Sequence, residues 1–254
     1  MKALVRRPSA RLADGLVTHI DRRPVDADLA QHQWQGYVAA LEEAGWQPVE
    51  VEPEPECPDS AFVEDTMLVY ERTAVIARSG AASRRPETDA AAKAVAGLGY
   101  SLVHVEEPGT FDGGDVLKVG STVYVGRGGR TNADGLRQLR AALTPLGATV
   151  VGVPLTKVLH LKSAVTALPD GTVIGYPPNV DDVSLFERFL PVPEEAGSHV
   201  VLLGDDRLLM ASSAPRSAEL FADLGWTPVP VDIGEFEKLE GCVTCLSVRL
   251  RAID

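Results

Sequence analysis

Apolar and polar positions alternate along this chain in paired runs, and each pair has turn-forming residues at its centre. Two alternating runs joined by such a turn predict a β-hairpin. The predicted hairpins lie at residues 67–78, 116–127, 164–176 and 200–212. Asp170-Gly171 and Asp205-Asp206 give the clearest turn signals.

A second pattern also recurs, in which an amphipathic run leads through a glycine into a β-branched run. It predicts a helix that ends at a left-handed glycine and is followed by a strand. The pattern starts at residues 41, 95, 142 and 221 and contains Gly45, Gly99, Gly147 and Gly225. A weaker fifth copy at residues 184–192 lacks the glycine.

Together these patterns predict five units of roughly 45 to 50 residues, each with a strand, a hairpin and a helix, in one closed α/β ring. The fifth hairpin has no second strand at the C-terminus, and residues 1–5 are predicted to supply it. An apolar stripe of Leu136, Leu139, Leu143 and Leu146 favours helices on the outside of the ring. Nothing resembling a linker interrupts the sequence, so we predict a single domain over residues 1–254.

The composition is 45% hydrophobic and 24% charged, which is typical of a soluble globular protein with a full core. The net charge of −12 argues against nucleic acid as a partner and suits a cationic ligand, although solubility alone explains acidic chains well. No apolar run approaches the roughly 18 residues of a membrane span. The first residues also lack the apolar centre of a signal peptide. We therefore expect a cytoplasmic protein with no membrane partner.

Reactive side chains stand directly before a predicted strand in four places. The segments are FVEDT (62–66), FDGGD (111–115), HLKS (160–163) and GCVTC (241–245). In a closed ring of repeats these positions meet at one point. A thiol, an imidazole and several carboxylates that converge there predict an active site for a cationic electrophile.

Each of these residues also has a simpler interpretation. Cys242 and Cys245 form a CxxC pattern, which is shared by redox dithiols, zinc half-sites and ordinary buried cysteines. A lone histidine such as His160 is commonly a packing or capping residue. Asp112 and Asp115 are suited to turns, although carboxylates in apolar surroundings need cationic or hydrogen-bonded partners.

Two arginines follow predicted hairpin exits and are expected beside the carboxylates. Arg84 and Arg130 come after second strands, and those strands end where the first strands of the same hairpins begin. Arginine binds carboxylates in a bidentate way. The alternative of a phosphate loop at GRGGR (126–130) is weak because no helix-opening glycine-rich motif is present.

Taken together, FVEDT, TFDGGDV, GRTN (129–132), HLKS and CVTC resemble the dimethylarginine dimethylaminohydrolases of the guanidine-modifying, pentein superfamily. The resemblance covers essentially the whole chain. It implies a five-bladed α/β propeller that hydrolyses Nω,Nω-dimethyl-L-arginine or Nω-monomethyl-L-arginine to L-citrulline and the methylamine. It also implies that no cofactor or metal takes part, and we keep a homodimer as a hypothesis.

The resemblance implies a role for each matching residue. Cys245 is expected to be the nucleophile, with its pKa lowered by the bound cation or by protonated His160, the general acid/base, while Asp112 orients the reacting centre. Asp112 stands where some family members have Glu. The expected substrate-binding residues are Glu64 and Asp65 for the guanidinium, Arg84 and Arg130 for the α-carboxylate, and Asp59, Leu16 and Leu239 around the α-amino group.

Two other functions stay open on the sequence. An arginine deiminase would use a similar set of residues, but such enzymes usually carry an inserted helical domain for which this chain has no room. A non-catalytic binding protein for cationic amino acids is the second alternative, and the presence of both Cys245 and His160 argues against it.

Overall fold

The computed structural model describes residues 1–250, which form five three-stranded sheets arranged as the blades of a propeller. In each sheet the middle strand pairs antiparallel with one neighbour and parallel with the other. The first blade contains β1 (Lys2–Val5), β2 (Gln47–Glu50) and β15 (Val248–Leu250), and the second contains β3 (Met67–Tyr70), β4 (Thr73–Ile76) and β5 (Ser101–His104). The third contains β6 (Val116–Val119), β7 (Thr122–Arg127) and β8 (Thr149–Pro154), and the fourth contains β9 (Val165–Ala167), β10 (Val173–Gly175) and β11 (Phe189–Pro191). The fifth contains β12 (Val200–Gly204), β13 (Arg207–Ala211) and β14 (Thr227–Val231). The predicted five-bladed α/β propeller is confirmed.

Longer helices connect the second and third strands of four blades. They are α1 (Ala27–Glu43), α2 (Glu87–Gly97), α3 (Ala133–Leu143) and α5 (Pro215–Asp223), and two single-turn helices are α4 (Leu161–Ala164) and α6 (Gly234–Glu237). Within the described part of the chain, no helix combines the length and apolarity that crossing a bilayer requires. The four predicted glycines, Gly45, Gly99, Gly147 and Gly225, have φ values of 84°, 87°, 86° and 88°, as a left-handed helix end requires.

The two ends of the described chain complete one blade. β1 pairs antiparallel with β15, with Ala3 opposite Arg249, and parallel with β2. This is the predicted closure of the ring. The predicted strand continues to residue 253, and residues 251–254 lie outside the described part of the chain.

The fourth blade departs from the predicted helix-then-strand unit at residues 184–192. The strand β11 is present, but short 3-10 turns at Pro177–Asn179 and Val183–Leu185 replace the helix. Asp182 accepts the amide of Ser184 and closes a local turn at the start of this segment. Phe186 instead packs edge-on against Tyr124 of the third blade, with ring centroids 5.2 Å apart.

Five clusters of buried apolar side chains make up the core, and each joins two neighbouring blades. In one of them Leu68 and Val75 of the second blade meet Val123 and Leu139 of the third. Because every blade shares its core with the next, the ring holds together as one unit.

A short turn precedes the innermost strand of every blade and positions the reactive residues. These strands, β3, β6, β9, β12 and β15, line a central channel of about 540 Å³. The turns are Val63–Thr66, Gly113–Asp115, α4, Ala196–Ser198 and the turn in which the Cys245 amide donates to the Cys242 carbonyl. Since all five turns lie at the same end of their strands, their side chains converge at one end of the channel.

A pair of helical glycines tests how tightly the turn before Asp112 is packed. A Cβ on Gly135 of α3 would lie 1.9 Å from the carbonyl oxygen of Thr110, whereas a Cβ on exposed Gly36 of α1 would meet nothing within 4 Å. We expect Gly135→Ala to destabilise the fold by about 1 to 3 kcal/mol. Gly36→Ala should stabilise it by about 0.5 to 1 kcal/mol. Urea unfolding measures both, and equal effects would contradict this packing.

Candidate active site

Most of the predicted site residues surround one small cavity of about 20 Å³ at the converging turns. Those that line it are Leu16, Asp59, Asp65, Arg84, Arg130, His160, Leu239 and Cys245. The other two predicted residues, Asp112 and Glu64, are not among the lining residues. Sequence analysis missed four further lining residues, Phe62, Leu159, Glu240 and Gly241.

His160 precedes α4 and lies between buried carboxylates. Its Nε2 is 3.2 Å from Asp112 Oδ2, and its Nδ1 is 3.7 Å from Asp65 Oδ1. Burial favours the neutral ring, but Asp65, the hydrogen bond with Asp112 and the charge of Asp115 together raise the pKa of His160 to about 9. The imidazole is therefore a cation at neutral pH and can act as a proton donor.

Asp112 lies behind His160 and is fully buried. Its Oδ1 accepts the amide of Gly80 at 3.0 Å, and its Oδ2 accepts Nη1 of Arg130 at 3.0 Å. Burial alone would raise the pKa of Asp112, but His160, Arg84 and Arg130 hold it well below its usual range. The carboxylate therefore stays ionised and contacts the cavity only through its partners.

Asp115 is the second buried carboxylate of the FDGGD segment. It accepts the hydroxyl of Thr131 at 2.6 Å and the amide of Leu161 at 3.1 Å, which fixes the start of α4. Burial raises the pKa of Asp115 to about 6. Its contacts agree with the turn-and-cap interpretation of this residue.

The two predicted arginines differ in how many of their hydrogens are already bonded. Arg84 donates from Nε and Nη2 to Glu87 at 3.0 and 2.8 Å, and from Nη1 to Asp65 at 2.6 Å. Its Nη2 also approaches the carbonyls of Asp59 and Phe62, both at 3.3 Å. One Nη1 hydrogen is left without a partner among the described residues.

Arg130 makes far fewer internal contacts. Within the described chain its guanidinium donates only from Nη1, to Asp112. Its Nε and Nη2 have no partner among the described residues, and Arg130 is one of the residues that line the cavity. The fork geometry that a bidentate carboxylate needs is consequently more complete at Arg130 than at Arg84.

The segment at residues 15–19 contributes Leu16 to the lining of the cavity and is held by two carboxylates. Both oxygens of Asp59 accept the amide of Leu16, at 3.1 and 3.2 Å. Glu240 accepts the amides of Thr18 and His19 at 2.6 and 2.8 Å, and it adopts a left-handed φ of 60° that is uncommon for a non-glycine residue.

Glu64 does not lie beside Asp65 at the cavity, where the sequence had paired them. Its Oε1 accepts Lys162 Nζ at 2.5 Å and Arg249 Nη2 at 3.0 Å, and the three side chains face the central channel. Adjacent residues in a 3-10 turn point in different directions, so Glu64 and Asp65 diverge. Its Oε2 is buried and has no hydrogen-bond partner among the described residues.

Cys245 is buried and lines the cavity. The amide of Cys242 donates to its sulfur at 3.4 Å, and the two sulfurs are 3.3 Å apart. The hydrogen bond with Cys242, burial and the nearby carboxylates of Glu64 and Asp65 raise the pKa of the Cys245 thiol well above its ordinary value. The expected lowering of this pKa by protonated His160 is therefore not seen in the chain itself.

Asp65, Asp112 and His160 also offer three potential metal ligands, with atoms within 4.8 Å of one another. Metal coordination requires a neutral imidazole nitrogen. Here the ring has a pKa of about 9 and donates to Asp112, so a metal would have to displace that proton. The donor set fits a shared proton better than a metal ion.

No family model matches the chain, but individual known proteins are similar to it over nearly its whole length. A dimethylarginine dimethylaminohydrolase of Streptomyces coelicolor is 68% identical over 252 residues, which cover 99% of this chain and 98% of that protein. A solved cysteine-to-serine variant of the Pseudomonas aeruginosa enzyme, complexed with citrulline, has a TM-score of 0.91 at 33% identity and covers 98% of both chains. A solved histidine-to-glycine variant of such an enzyme, an adduct with S-methyl-L-thiocitrulline, also has a TM-score of 0.91, at 32% identity, and covers 98% of this chain and 99% of its own.

The propeller, the buried thiol and these relatives together define a hydrolase of the guanidine-modifying class with a cysteine nucleophile. The chain belongs to the dimethylarginine dimethylaminohydrolase family.

The raised pKa of His160 predicts a dependence of stability on pH. The folded value of about 9 lies above the ordinary 6.5, so the stabilisation by the charged ring is complete below about pH 6.5 and is lost as the pH rises through about 9. The loss should approach about 1.4 kcal/mol per pH unit. Urea unfolding between these pH values measures it.

Two histidine variants control this measurement. His160→Gln should remove this dependence on pH. His199→Gln is the matched control and should keep it, because His199 is also buried but contacts the carbonyl of Ser163, at 3.0 Å from its Nε2, and not the carboxylates around His160. A wild-type slope that survives in His160→Gln would show that another group titrates.

Proposed function

We propose that the chain hydrolyses Nω,Nω-dimethyl-L-arginine to L-citrulline and dimethylamine, and Nω-monomethyl-L-arginine to L-citrulline and methylamine, through a covalent adduct on Cys245. The observation that carries the proposal is the cavity itself. A thiol, an imidazolium, the carboxylate of Asp65 and the guanidinium groups of Arg84 and Arg130 all line it. The 68% identity to the Streptomyces coelicolor enzyme supports the choice of substrate.

The first half-reaction needs a thiolate and a proton donor. A guanidinium bound beside Asp65 and Cys245 brings a positive charge to the thiol, which offsets the carboxylates that raise its pKa. The thiolate then attacks the guanidinium carbon and gives a neutral tetrahedral intermediate. His160, already protonated, donates its proton to the dimethylamino nitrogen, and dimethylamine leaves.

The second half-reaction reverses the role of His160. The S-linked amidinium on Cys245 is attacked by water, from which the now neutral imidazole takes a proton. Collapse of this second intermediate breaks the carbon–sulfur bond and releases L-citrulline. Asp112 keeps the ring in place throughout and favours its charged form, which makes Asp112 a positioning residue.

Substrate binding is assigned to the groups that are still free to bond. Arg130 offers Nε and Nη2 to the α-carboxylate, and Arg84 adds its one remaining Nη1 hydrogen. The amide of Leu16 is bound to Asp59, so the carbonyl of Leu16 and the oxygens of Asp59 are the acceptors for the α-ammonium. Asp65 is the guanidinium acceptor at the cavity.

The nucleophile assignment is tested by two cysteine variants. Cys245→Ser should lower the rate of dimethylamine and citrulline release by at least about 10³-fold, because a hydroxyl is a far weaker nucleophile than a thiolate. Cys242→Ser should keep most of the activity, since that side chain has no step in the mechanism. Equal losses would indicate a dithiol mechanism, and faster ammonia release from arginine would indicate a deiminase.

The carboxylate assignment is tested by Arg130→Ala. We expect a rise in KM for dimethylarginine that corresponds to about 2 kcal/mol, because a charged bidentate contact is lost. The matched control is methylated agmatine, which has no α-carboxylate. For this substrate, any loss of kcat/KM in Arg130→Ala comes only from the lost contact between Arg130 and Asp112. An equal loss of kcat/KM for the two substrates would show that Arg130 does not bind the carboxylate.

A further inference from the structure

The side chain of Cys242 has no part in the proposed reaction, yet it contacts the proposed nucleophile directly. The two sulfurs are 3.3 Å apart, and Cys242 Sγ also lies 3.2 Å from the hydroxyl of Thr244. Cys242 is buried and does not line the cavity, whereas Cys245 does. One sulfur therefore faces the substrate, and the other lies directly behind it.

The backbone between the two cysteines already has the shape that a disulfide requires. The Cys245 amide donates to the Cys242 carbonyl at 3.0 Å, which closes a turn with Cα atoms less than about 7 Å apart. Disulfides commonly join Cα atoms about 4.4 to 6.8 Å apart. The sulfurs have to approach by roughly 1.2 Å to reach bonding distance.

We propose that Cys242 and Cys245 form an intramolecular disulfide when the enzyme meets a hydroperoxide, and that this bond switches off the nucleophile reversibly and protects it from irreversible oxidation. The inactivation rests on the proposed role of Cys245, whereas formation of the bond depends only on the geometry of the pair.

The chemistry balances in two steps. The Cys245 sulfur attacks the terminal oxygen of the hydroperoxide and its proton passes to the departing oxygen. The O–O bond breaks, and the sulfur becomes a sulfenic acid while an alcohol or water leaves. Cys242 sulfur then attacks the sulfenic sulfur and expels the hydroxyl as water, so two electrons in total pass from the thiols to the hydroperoxide. The reverse change needs two electrons from a thiol reductant.

The surroundings of Cys242 suit the second step. Hydrogen bonds from Cys245 and from the side chain and backbone of Thr244 hold the pKa of the Cys242 thiol below its ordinary value, and His199 adds to this. A lowered pKa favours the thiolate, which is the form of a thiol that attacks a sulfenic sulfur. It is also shielded from the oxidant because only Cys245 opens to the cavity.

The test compares the full-length enzyme with Cys242→Ser and Cys57→Ser after treatment with hydrogen peroxide. In the wild type we expect a mass loss of two hydrogen atoms, the loss of two alkylatable thiols, and recovery of most of the activity with dithiothreitol. Cys242→Ser should instead gain oxygen atoms on Cys245 and recover only a minor part of its own untreated activity. Cys57→Ser should behave as the wild type, since Cys57 contacts the carbonyl of Ser83 and neither of the other sulfurs.

Two results would overturn the proposal. One is equal recovery in the wild type and in Cys242→Ser, and the other is inactivation of the wild type with both thiols still open to alkylation. Failure of the proposed role of Cys245 would look different. The wild type would then lose two hydrogen atoms and two alkylatable thiols, but it would release dimethylamine from dimethylarginine as fast as before the treatment.

Discussion

The site depends on the burial of several carboxylates around one imidazole. Asp65, Asp112 and Asp115 are all removed from water, and ionised groups are costly there unless cations and hydrogen bonds compensate them. His160 provides a positive charge that contacts Asp65 and Asp112 directly. The same electrostatic requirement that keeps the ring protonated in the fold gives the reaction its proton donor.

In the propeller, the reactive residues come from turns that precede the inner strands of different blades. Asp65 precedes the second, Asp112 the third, and His160 the fourth, while Cys245 precedes the strand that completes the first. Because each core cluster joins two neighbouring blades, a shift in one blade moves its reactive group relative to the others. The stability of the ring and the geometry of the site are therefore linked.

Local patterns in the sequence were sufficient for the features that repeat. Hairpins, glycine helix ends, ring closure at residues 1–5 and the turns before the inner strands all follow from periodicity and turn chemistry. Contacts between blades were not predictable in this way. Glu64 pairs with Lys162 and Arg249, which are distant in sequence, and Glu240 holds a segment more than two hundred residues away. The helix predicted from the weak repeat at residues 184–192, which lacks the glycine, is absent, and a short 3-10 turn and the strand β11 lie there instead.

The central claim is that Cys245 carries a covalent intermediate whose hydrolysis needs His160 as the base. The most direct measurement is mass spectrometry of the intact His160→Gly variant, which is incubated with dimethylarginine and then quenched with acid. A Cys242→Ser background leaves one sulfur in the turn. We expect an adduct of substrate less dimethylamine to accumulate on the peptide that contains Cys245. Wild-type turnover in His160→Gly, with no adduct at any time, would contradict the account.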